Sequence, residues 1–151
     1  MENVAKIPPH LNNRGEICSF LEEHMTNTYE KIRDEGAYKY GKNLVKTYVI
    51  ESNYKDAKSF FKSVRSDSTT RWKEIESNTF IFDYETGDLK VNFYVDTSNP
   101  RFWTFHTISS AKDTDIVVQK LVQPMMSHLD TLWLDGSMLQ GISKEHADYT
   151  K

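Results

Sequence analysis

The chain has 151 residues, of which 38% are hydrophobic, 13% aromatic and 27% charged, and its formal charge is −3. That length and balance suit one globular domain with its own core and exclude a disordered chain. No run reaches the roughly 18 apolar residues of a membrane span, the small charge argues against a bulk polyanion partner, and the lone Cys18 excludes an internal disulfide.

Residues 1–13 read as a flexible arm: Pro8-Pro9 opposes helix and no apolar leader precedes it, so no secretory signal is expected. From Asn13 or Arg14 to about Arg33 a helix is expected, because Ile17, Phe20, Leu21, His24, Met25, Thr28 and Ile32 recur near a 3.6 period. Cys18 lies near that stripe and reads as core or half-core, and Gly36 supplies a stop. Asn43 to Glu51 is β-branched and aromatic enough for a strand. Ser52 or Asn53 can cap a second helix from Tyr54 to about Ser66, with Ala57, Phe60, Phe61 and Val64 as its apolar stripe.

After a loop over 66–70, Arg71 to Ile75 can form a short strand. Three period-two runs follow, over 78–85, 89–96 and 101–108. Thr86-Gly87-Asp88 joins the first two as a tight hairpin, and Thr97-Ser98-Asn99-Pro100 makes a looser turn. Ser110 or Asp113 caps a third helix, which Pro124 stops or kinks. His128 to Leu134 reads as a last strand, with a continuous helix from Met125 as the alternative. The expected fold is α+β: a mainly antiparallel sheet with helices packed on one face, a single domain over 14–142, and a polar tail over 143–151.

No catalytic constellation is legible. His10, His24, His106, His128 and His146 fall on different elements without ligand spacing, so no metal site is expected. Gly136-Ser137-Met138-Leu139-Gln140-Gly141 is not a nucleophile elbow, and neither a P-loop nor a dinucleotide fingerprint occurs among six glycines. No cofactor is therefore expected. Asp83 followed by Asp88-Leu89-Lys90 has the residue types of a metal-dependent nuclease: two acids for Mg²⁺ and a lysine for developing charge. The hairpin itself separates them, however, and turns favour Asp and Gly for backbone reasons alone.

Three surfaces suit binding. Lys55, Lys58, Lys62 and Arg65 recur at spacings of three, four and three, a basic stripe able to contact the phosphates of a nucleic acid. Charge is polarised to match: residues 30–75 hold 11 Lys/Arg against 7 Asp/Glu, and residues 76–151 hold 6 against 11. The second face of the meander carries Tyr94, Phe102 and His106 among polar neighbours, which suits cover by the first helix or by another polypeptide. Leu132, Trp133 and Leu134 are apolar on both sides of the last strand and need burial or a partner. The leading expectation is a non-catalytic cytoplasmic interaction module, a subunit or N-terminal domain of a larger assembly, binding a protein partner or itself. The alternatives are a nucleic-acid-binding module and the nuclease-like domain.

Overall fold

A computed structural model describes residues 6–36, 43–64 and 69–131. Its elements run α1 (Arg14–Glu35), β1 (Lys46–Ser52), α2 (Ala57–Ser63), β2 (Thr69–Glu76), β3 (Thr79–Thr86), β4 (Leu89–Asp96), β5 (Phe102–Thr107), α3 (Ala111–Val122), a 3₁₀ turn (Gln123–Met125) and β6 (Leu129–Thr131). The six strands form one sheet in the order β2-β3-β4-β5-β1-β6, and each recorded pairing is antiparallel. This is the α+β class expected from the alternation of local hairpins with helical crossovers.

Period two sorts the side chains onto the two faces. Phe80, Phe82, Tyr84, Val91, Phe93, Val95, Trp103, Phe105 and Ile50 point to the first face and are buried there. α2 supplies Phe60 and Phe61, and α3 supplies Val117, Val118, Leu121 and Val122, to close the core. The rings mix edge-on, tilted and stacked contacts: Phe93 meets Phe105 edge-on at 5.6 Å and stacks on Phe82 at 6.2 Å, and Phe60 meets Trp103 tilted at 5.7 Å.

Turn chemistry fixes the meander. Gly87 (φ 54°) takes the first position of the two-residue β3–β4 hairpin, and Thr86 pairs with Leu89 across it. Asn78 (φ 61°) does the equivalent work between β2 and β3, where the register shifts between Glu74 and Glu76. Ser110 caps α3 reciprocally: its Oγ accepts from the Asp113 N–H at 3.2 Å and donates to Asp113 Oδ2 at 2.8 Å.

Several expectations shift. Among the described helices α2 and α3 lie on the first face; α1 packs on the other, where Ile17, Phe20 and Leu21 meet Ile81, Tyr94 and Ile75. The described part of the N-terminal arm is docked rather than free, with Ile7 1% and Leu11 9% exposed in that same cluster. α2 starts later than expected, because β1 runs on to Ser52 and Asp56 caps the helix, accepting from the Ser59 N–H at 2.8 Å. β2 is longer than Arg71–Ile75, pairing with β3 from Thr69 onward. Cys18 is exposed instead of core. For the expected final strand, β6 accounts for Leu129–Thr131, and the rest lies outside the described residues.

Candidate protein interface

The second sheet face is built from cross-strand rows. Lys73, Ile81, Tyr94, His106 and Thr47 are successive partners from β2 to β1, and Thr79, Asp96, Thr104 and Val49 form the neighbouring row. α1 crosses the β2–β4 side of this face and buries Ile81 and Tyr94. Arg14 anchors its start, donating to Asp96 at 2.8 Å and to Ser98 Oγ at 2.6 Å.

The β5–β1 side is covered less. Phe102, Thr104, His106 and Val49 are half-buried and Thr47 is exposed. His106 stacks on Tyr94 at 5.4 Å with the planes 22° apart. Its Nδ1 lies 2.8 Å from Thr47 Oγ1 and its Nε2 3.2 Å from Thr104 Oγ1, so both ring nitrogens are satisfied by hydroxyls. Burial pushes the imidazole below its ordinary 6.5, with Asp96 pulling the other way. Phe102 carries the Arg101 guanidinium 5.3 Å from its ring centroid, and Glu51 holds that guanidinium at 2.6 Å. A cleft of about 340 Å³ adjoins this ion pair, walled by Ser52, Asn53, His128 and Asp130 and bordered by Met126, which is 73% exposed.

The anticipated site residues separate accordingly. Phe102 and His106 sit together on the half-open side, whereas Tyr94 is only 3% exposed and belongs to the cluster beneath α1. Its phenol is raised by burial, with Asp96 adding to the shift and Arg14 opposing it. Leu132, Trp133 and Leu134 lie outside the described residues. Of the basic stripe, Arg65 lies outside them too, and Lys55 precedes the Asp56 cap, leaving only Lys58 and Lys62 on α2. Lys58 is paired with Glu74 of β2, and Asp56 lies within the fields of Lys55 and Lys62, which help hold its carboxyl below the usual range after the Ser59 hydrogen bonds. Three lysines so accompanied make a weaker phosphate track than four aligned cations.

Asp83 accepts from Asn92 Nδ2 at 2.5 Å and faces Lys6 at 4.0 Å. Its register partner is Asn92, while Asp88 sits in the turn beyond the Thr86–Leu89 pair, about 10 Å further along the ribbon. Among the described residues no group of three or more His, Cys, Asp or Glu is placed to hold a metal. Periodicity could not have revealed a second polar assembly, on the first face. Tyr48 donates to Asp115 of α3 at 2.5 Å, and burial with that bond raises its phenol. Lys46 is lowered by burial against the pull of Asp115.

A sequence model of the MJECL33-like protein family matches residues 3–151, almost the whole chain. The chain belongs to that family. It is 32% identical over 148 residues to the uncharacterized protein MJECL33 of Methanocaldococcus jannaschii, a match covering 98% of this chain and 35% of that protein. The chain thus spans about a third of the length of that relative. No solved structure matches. Among the described residues no helix is long and apolar enough to cross a membrane.

Proposed function

We propose that this chain is a non-catalytic interaction module that works as one part of a larger assembly and meets its partner through the β5–β1 half of the second sheet face. The observation that carries this reading is the uneven cover of that face: Ile81 and Tyr94 are sealed under α1, while Phe102, Thr104 and His106 stay half-open beside them. An aromatic ring braced by an ion-paired arginine is the kind of anchor that protein interfaces favour. The archaeal relative adds support, since there the matched region is joined to further polypeptide making up the larger part of the chain. The single exposed Cys18, which has no second cysteine to pair with, suits a reducing cytoplasm, where we place the protein.

The nucleic-acid alternative has less support, because Lys58 is already paired with Glu74 and Asp56 sets a negative charge among the lysines. Light scattering and affinity capture from the protein's own cell extract test the reading. A defined complex or self-association should form with the wild type and be lost on Phe102→Asp, with the circular dichroism unchanged. A strict monomer that captures nothing, or a complex indifferent to Phe102→Asp, would overturn it. Salt-sensitive DNA or RNA binding that vanishes with Lys58→Glu/Lys62→Glu would instead favour the alternative.

A further inference from the structure

The segment from Lys6 to Leu11 lies on the sheet as a bound peptide would. Ile7 and Leu11 point inward and are 1% and 9% exposed, against Ile81 and Tyr94. Pro8 and Pro9 between them have no N–H to offer and restrict the backbone, so little ordering entropy is lost on docking. The Ile7 N–H goes to a side chain of the sheet: Asn92 Oδ1 accepts it at 2.9 Å in a buried site. Asp83 accepts from the other end of that carboxamide at 2.5 Å and so fixes which way the amide points. The Asn92 main-chain carbonyl accepts from Thr107 Oγ1 at 2.8 Å, which pins the residue from behind. The Leu11 N–H closes on Pro8 O at 3.4 Å within the segment itself.

Ordinary strand pairing reads a neighbour through main-chain ladders and is hard to exchange. Here a buried, oriented asparagine reads one amide, flanked by two apolar seats and a 4.0 Å contact between Lys6 and Asp83. We propose that Ile81, Asp83, Asn92 and Tyr94 form a peptide-docking groove, that residues 6–11 occupy it as an intramolecular ligand, and that an extended partner segment of the same chemistry replaces them. That chemistry is an aliphatic residue with a free N–H, prolines directly after it, and a second aliphatic residue four positions on. The groove adjoins the Phe102 surface through the Tyr94–His106 stack but shares no residue with it, so either can fail without the other.

The probe is a labelled acetyl-Lys-Ile-Pro-Pro-His-Leu-Asn-amide peptide, titrated by fluorescence anisotropy into the full chain and into the Ile7→Ala/Leu11→Ala variant. The variant, with its own segment weakened, should bind at least tenfold more tightly than the wild type, and Phe102→Asp should leave that binding unchanged. A peptide carrying N-methyl-isoleucine in place of isoleucine, in which a methyl group replaces the donor that Asn92 reads, should lose at least tenfold. Equal binding by wild type and variant, no binding by the folded variant, or indifference to N-methylation would overturn the proposal. A dimer that free peptide cannot dissociate, with no capture of peptide by the monomer, would assign the groove to a second copy and also overturn it. Should the variant not fold, native-state hydrogen exchange of the wild type decides. An Ile7 amide exchanging well ahead of the β4 amides supports an exchangeable segment, and one exchanging only with them rejects it.

Discussion

His106 shows how a half-covered sheet face sets a chemical property. Its ring is satisfied by Thr47 and Thr104 and stacked on Tyr94, and the Asp96 carboxylate pulls against the effect of burial. Burial therefore makes the folded state a poorer home for the proton than the unfolded chain, whose imidazole titrates near its ordinary 6.5. The neutral ring's contribution is fully present above that pH and is lost as pH falls through the lower folded value. Thermal melts should show stability declining from pH 7 toward pH 5, and His106→Gln should flatten that decline. An unchanged slope in the variant would remove His106 as its source. A second residue-scale case is Phe93, fully buried between Phe82 and Phe105. Phe93→Ala should cost about 3–5 kcal/mol in denaturant unfolding, as large-to-small core changes do.

At the scale of elements, caps and turns decide boundaries more sharply than propensity does. Ser110→Ala removes the Oγ that accepts from Asp113 and should cost about 1 kcal/mol of unfolding free energy. A cost near zero in urea titrations would mean that Asp113 caps the helix without help. The same logic explains what was legible beforehand. Three period-two runs and a Gly87 turn located β3, β4 and β5 within a residue or two, because alternation there reflects two faces of different polarity. The sequence pattern starts α2 three residues early, because Ser52 and Asn53 are as good caps as Asp56. Nothing local records that β1 continues to Ser52, whose Oγ accepts from the Tyr54 N–H instead. Of β2 the sequence marks Arg71–Ile75 and not the full Thr69–Glu76, since an edge strand with Arg71, Lys73, Glu74 and Glu76 lacks an apolar period; such charges also guard the sheet edge against mispairing. Tyr94 and Phe102 look alike in sequence, both aromatics on the polar side of a strand. Only the path of α1 over the sheet separates the buried one from the half-open one.

At the scale of the molecule, the sheet serves two cores of unequal weight. The first face joins five strands, β6, α2 and α3 in a single aromatic cluster that includes Trp103, Phe60, Phe80, Phe82, Phe93 and Phe105 among its fully buried side chains. The second cluster is smaller: five buried residues (Ile7, Leu11, Ile17, Ile81 and Tyr94), with Phe20, Leu21 and Ile75 packed against them. Each fully buried aliphatic or aromatic side chain contributes roughly 1.5–3 kcal/mol, so the second layer can open at a fraction of the cost of the first. Native-state hydrogen exchange should then find two tiers, with α1 amides opening sub-globally and the central amides of β3 and β4 only on global unfolding. Ile17→Ala, at a residue 0% exposed on α1, should lower protection in α1 while leaving the β3 and β4 amides close to their wild-type order. Phe93→Ala should instead lower the global ceiling and shift the sheet amides with it. A single exchange tier, in which Ile17→Ala moves α1 and the sheet by equal amounts, would show that the two cores unfold as one, and that the layer over Tyr94 is as permanent as the layer over Phe93.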